Sequence, residues 1–266
     1  MKKALNEEEI DKICWSPDCQ ELSETFIEEY KDYINWNGIS SCQKLSEEFI
    51  EKYKENINWL SISIWQELSE SFIEKYKDKL NWKEISEHQK LSESFIEKYR
   101  DKVNWYNISS RQRLSESFIE KFKKRVNWKE ISYCQKLSES FIEKYKDKID
   151  WDAISECQKL SEPFIRKYKD NIRWDSISCY QKLSELFIEE FKDKVYWWGI
   201  LRKQKLSEPF IIKMKKYIDF KSIFPKKKLT GNIINNCYEC INLDLIKNKI
   251  NNKNILPEVR LYYEVK

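Results

Sequence analysis

Leu91-Ser-Glu-Ser-Phe-Ile-Glu-Lys-Tyr-Arg-Asp-Lys-Val-Asn-Trp-Tyr-Asn-Ile-Ser-Ser-Arg-Gln-Arg113 decides the fold, because the chain repeats it with small changes from Leu22 to Phe220. Trp36, Trp59, Trp82, Trp105, Trp128, Trp151, Trp174 and Trp197 follow one another at 23-residue intervals. Trp15 precedes the series by 21 residues, and Phe220 takes the next place after it. Leu-Ser-Glu-x-Phe-Ile occurs nine times, from Leu22 to Leu206. A fixed period of this size means stacked supersecondary units, and each copy carries the signals of two helices. Ser92 is an N-cap with Leu91 before it and Ile96 four positions on, the arrangement of a hydrophobic staple. Pro163 and Pro209 fall in the first turn of their copies, where a missing N–H costs little. Phe95, Tyr99 and Val103 continue as an apolar stripe, which predicts a first helix of roughly 11 residues. Asn104 caps a second helix of roughly 8 residues that ends near Gln112.

One copy cannot bury its Leu, Phe, Ile, Tyr and Trp alone, whereas stacked copies cover one another's apolar faces. The expectation is therefore an all-α protein: an α-solenoid of about nine two-helix repeats with a short atypical C-terminal cap. Residues 1–21 read as an N-terminal capping unit, 22–220 as the tandem repeats and 221–266 as a basic cap or tail. From Thr230 onward the period is lost, and the tail reads as partly extended.

Composition excludes several functions. Gly38, Gly199 and Gly231 are the three glycines, too scattered for a phosphate-binding or dinucleotide loop. His88 is the single histidine, so a His-based catalytic pair has one available centre and a multi-histidine metal site has none. No base–nucleophile pairing is visible, and the reading is of a protein that is not an enzyme and carries no cofactor. Residues 221–266 hold 9 basic and 4 acidic side chains, leaving 40 basic and 41 acidic in the first 220. A neutral body is poorly suited to tracking phosphates, which makes nucleic acid the weaker partner. No stretch is long and apolar enough for a membrane span, and the first residues turn acidic where a secretory signal needs its apolar core. The eight cysteines lie mostly at repeat-related positions rather than in a disulfide framework, which points to an intracellular, cytoplasmic setting.

The repeats can be compared with one another. With Trp at zero and about 100° per residue, Ile at +3, Ser at +4 and Gln at +7 share one side of the second helix and hardly vary. Positions +1, +2, +5 and +6 fall on the other side and differ from copy to copy. They include Trp65, Lys83, Glu87, His88, Tyr106, Arg111, Tyr133, Tyr180 and Trp198, which are the candidate partner-binding residues. Two readings stand: drift on an unconstrained surface, or a recognition surface, since large aromatics on a solvated face are typical interface anchors. The first helix repeats its outward charges, and pairs at i, i+3 such as Glu97–Arg100 and Lys98–Asp101 read as a solvated, ion-paired face.

The constant residues read structurally. The Gln ladder satisfies loop backbone groups, the Ser at +4 allows close helix approach, and Trp is a core position. Cys42, Cys134 and Cys157 share position +6, too far apart between copies for a disulfide. Cys237 and Cys240 form the one C-x-x-C, a weak zinc signal without a second pair. Lys226, Lys227 and Lys228 form a basic run that reads as a solvated junction.

The wording Leu-Ser-Glu-x-Phe-Ile-Glu-Lys-Tyr-Lys-Asp-Lys-Ile-Asn-Trp-x-x-Ile-Ser resembles a tandem repeat found in uncharacterised proteins of giant DNA viruses and some phages. The resemblance covers about Leu22 to Phe220 and implies no catalytic residues. It implies a repeat protein, with the host cytoplasm as its compartment if the source is viral. By architecture, α-solenoids bind proteins, and the expected partner is a protein, plausibly of the host. The other readings are a single-stranded nucleic-acid reader and a self-assembling rod.

Overall fold

The structure is a computed structural model that describes residues 21–220 and 231–237. Every regular element among the described residues is helical. Two compact units, Met1–Gln135 and Lys136–Lys266, are distinguished, and both are built in the same way. In the first, Glu93–Lys98 and Trp105–Arg111 form one repeat; in the second, Glu162–Lys167 and Trp174–Tyr180 form another. Within each unit the second helices pack on one another in sequence order. The architecture is an α-solenoid.

The caps are where the sequence places them. The Phe95 N–H donates to Ser92 Oγ at 3.2 Å and the Asn107 N–H to Asn104 Oδ1 at 3.1 Å. Pro163 and Pro209 lie in first turns. The first helix is shorter than expected, six residues rather than about 11, and ends at Lys98. Tyr99 leaves helical geometry with φ −108° and ψ 27°, and the Lys102 and Val103 N–H groups both return to its carbonyl. Val103 thus reaches the interior through a tight turn rather than a third helical rung. Ile96 and Ile108 are fully buried, with Leu91, Phe95 and Val103 close to it. Gly231–Cys237 is a helix packed on Glu208–Lys213, not extended chain, and buries Ile233 and Cys237.

Polar side chains join one repeat to the next. Gln112 Nε2 donates to Ser86 O at 3.1 Å and to Gln89 O at 2.7 Å, and its Oε1 accepts from the Leu91 N–H at 3.1 Å. One buried amide thus satisfies two helix-terminal carbonyls of the preceding repeat and the loop N–H that opens its own. The same three bonds recur in the second unit at Gln181, to Ser155 O, Gln158 O and the Leu160 N–H. The serine at +4 does more than let helices approach. Ser86 Oγ donates to Trp82 O at 2.6 Å and accepts from the Asn104 N–H of the next repeat at 2.9 Å. Glu93 reaches forward, its carboxylate accepting from the backbone and hydroxyl of the next N-cap, Ser115.

Two further expectations are corrected. The tryptophans are half-buried rather than core. Trp82 lies against Tyr99 of the next repeat with centroids 4.9 Å apart, donates its indole N–H to Lys77 O at 2.7 Å, and carries the Lys102 ammonium 5.7 Å above its ring. An indole held between a carbonyl, a ring and a cation sits at an edge, with one face toward water. Nor do the charged pairs follow i, i+3. Arg100 and Asp101 lie beyond the helix end, so Glu97 pairs with Lys121 and Asp101 with Arg125, each in the next repeat. Glu74–Lys98 and, in the second unit, Glu143–Lys167 follow the same rule.

Replacing Gln112 with Ala strands two carbonyls and an N–H, each expensive to leave unpaired when buried. Urea unfolding followed by circular dichroism should show a loss of about 2–4 kcal/mol, against almost none for Lys98→Ala; equal effects would contradict the assignment. The hydrogen bond from Lys98 holds the Glu74 carboxyl below its ordinary value. A lowered folded pKa gives stability that is present above the unfolded value and lost as pH falls through the folded one. The unfolding midpoint should therefore fall gradually below the ordinary carboxylate range, with the effect muted in high salt.

Candidate functional site

The second helices present the variable residues, but fewer of them than the helical wheel implies. Position +2 faces the preceding repeat. Asn107 is 5% exposed, and Ala153, Ser176 and Gly199 are buried too. Asn107 Nδ2 donates to Lys83 O at 3.1 Å and to Glu87 Oε2 at 3.2 Å. A Cβ on Gly199 would lie 2.7 Å from Cys179 Sγ. Positions +2 and +5 of adjacent copies therefore meet in a helix–helix contact. Two flanking neighbours plus the first helices use most of each second helix's circumference. Solvent is left with +1, +6 and part of +5.

Four of the candidate aromatics stand on that remaining strip. Trp65, Tyr106 and Tyr133 are 65%, 54% and 39% exposed in the first unit, and Tyr180 is 60% exposed in the second. Tyr106 leans across to the next helix, where the Glu130 carboxylate, by its charge and then by a hydrogen bond, pushes the phenol up. Lys83 is exposed. Arg111 is exposed and lies 3.6 Å from Glu87, whose side chain is half-buried. Trp198 departs from the expectation of a fully outward ring. It is half-buried beside Tyr196, centroids 5.9 Å apart, with the Arg202 guanidinium 4.9 Å over its face.

His88 Nε2 lies 3.5 Å from Glu84 Oε2, and ligand atoms of Glu84, Glu87 and His88 all come within 4.8 Å of one another. This trio could offer two carboxylates and an imidazole to a cation, but Glu87 already faces Arg111 and Asn107, so an added cation would compete with a fixed guanidinium. Cys42, Cys134 and Cys179 are thiols. Burial, and after it Glu130, pushes the Cys134 thiol up, and burial does the same to Cys179; both effects disfavour the thiolate that a nucleophile needs. Trp15, Cys19, Cys240 and Lys226–Lys228 lie outside the described residues.

Sequence reasoning overlooks Leu60, half exposed at +1, and Leu186, 81% exposed on a first helix. Both carry a readable signal: each is a bulky apolar residue at a position where most other copies are polar. Among the described residues no helix is long and apolar enough to cross a membrane. Comparison with family models, characterised proteins and solved structures finds no match to this chain.

If the strip is a solvent surface free of structural duty, Trp65→Ser and Tyr180→Ser should each leave the thermal midpoint within about 1 °C, the small effect typical of surface sites. A drop of several degrees in either would show that the ring is part of the packing.

Proposed function

We propose that this chain is a non-enzymatic repeat scaffold that binds a protein partner through the outward strip of its second helices. One observation carries the reading: the glutamine, serine and glutamate that join the repeats hardly vary, while the exposed positions of the second helices do, and Trp65, Tyr106, Tyr133 and Tyr180 stand among them. A Trp or Tyr held on a rigid helix offers large contact area at low entropic cost, which is the usual character of an interface hot spot. The acidic Asp152, Glu156 and Asp175, all exposed in the second unit, disfavour a phosphate backbone lying along this strip.

The wording of the repeat supports a viral source. In that setting the partner is a host protein and the compartment the host cytoplasm. The test is affinity capture from such cells with the full chain, compared with a variant carrying Tyr106, Tyr133 and Tyr180 all changed to Ala. Capture of a defined partner should be lost at unchanged helicity. Capture that persists at full strength in the variant overturns the reading.

A further inference from the structure

The last described repeat breaks the rules that hold the others together, and it does so at one place. Elsewhere the +4 serine hydroxyl accepts from the first N–H of the following second helix, as Ser178 does from Tyr196 at 2.8 Å. After Trp197 that serine is replaced by Leu201, which has no hydroxyl to offer. Elsewhere Trp stacks on the aromatic residue that ends the next first helix, as Trp174 does on Phe191 at 4.9 Å. Here that residue is Met214. Trp197 stacks instead on Tyr217, from the 3-10 turn Lys215–Tyr217, with the centroids 6.0 Å apart. Tyr217 occupies the place of the lysine that covers the ring in other copies, such as Lys194 over Trp174. Tyr196 replaces the polar N-cap and makes no side-chain cap bond.

A cleft of about 440 Å³ lies here, walled by Tyr196, Trp197, Trp198 and Tyr217. That volume suits a small-molecule site. Its rim is basic. The Arg202 guanidinium sits over Trp198 and the Lys192 ammonium 5.5 Å over Tyr217. Residues 192–219 hold eight basic and three acidic side chains, against the neutral balance of the body. A cationic ligand would meet these charges on the rings it needs. A planar ring carrying phosphate meets aromatic faces for stacking and cations for its charge. Asp219 also borders the cleft, and a carboxylate there can accept from a base's exocyclic amino group.

We propose that this cleft binds a nucleotide, with the base against Tyr196, Trp198 and Tyr217 and the phosphate held by Arg202 and Lys192. The chemistry is shared by a free nucleotide and by the terminal nucleotide of a single strand. It shares positions +1 (Trp198) and +5 (Arg202) with the partner-binding strip, but none of the four exposed rings on which the partner reading rests.

Isothermal titration of the full chain with ATP, adenosine, inorganic triphosphate and a ten-nucleotide single strand tests it. ATP should bind at least about tenfold more tightly than adenosine or triphosphate alone, because stacking and charge act together. Binding tighter for the strand than for ATP assigns the source to a nucleic-acid end, and the reverse assigns it to the free nucleotide. Arg202→Glu should weaken ATP binding by about tenfold or more. So should the pair Tyr196→Asn and Leu201→Ser, which restores residues that other repeats already fold with. Triphosphate binding as tightly as ATP, retention of binding in both variants, or no heat of binding up to about 1 mM ATP would overturn the proposal.

Discussion

The buried glutamine amide is the contact on which the stack depends. A seven-residue second helix followed directly by a six-residue first helix exposes more terminal carbonyls and N–H groups than its length can satisfy internally. In water those groups would be solvated; against a packed neighbour they must find protein partners. Gln112, reaching back to Ser86 O, Gln89 O and the Leu91 N–H, supplies three at once. The serine hydroxyl and the first-turn glutamate then serve the N–H groups that the glutamine does not reach. Apolar burial drives the stacking, and this polar set determines that the neighbour docks in one register.

That division explains which parts of the fold are legible in the chain. Ser92 and Asn104 can be read as caps because capping is local, needing a side chain and a backbone N–H two or three residues away. The roles of Trp82 and Glu97 cannot be read in this way. The indole is placed by Tyr99 and Lys102, and the carboxylate by Lys121, all in the following repeat. A helical wheel sees one helix, so it assigns Trp to the core and pairs Glu97 with Arg100. The same limit misplaces position +2, whose burial in Asn107 and Ser176 comes from the adjacent second helix.

The outward strip was legible as a set of variable positions, and the structure narrows it to +1, +6 and part of +5. Four of the candidate aromatics remain on it, while Trp198 belongs to a different feature, the aromatic cleft of the last repeat. Regularity is what makes both visible. In a chain whose joining residues are this constant, Leu201 in place of serine and Met214 in place of an aromatic ring stand out, and Leu201 lines the cleft. Stability and recognition are thus assigned to separate residues of the same short helix.

Native-state hydrogen exchange measures the central contact most directly, because the Leu45, Leu68, Leu91 and Leu114 amides lie in loops and each donates to the Oε1 of its own repeat's glutamine, whose Nε2 binds the carbonyls of the repeat before. The account predicts that these loop amides exchange as slowly as the helical Ile96 and Ile108 amides, opening only when the stack opens. Exchange at the rate of an unstructured loop would contradict it, and would mean that apolar packing alone holds the repeats in place.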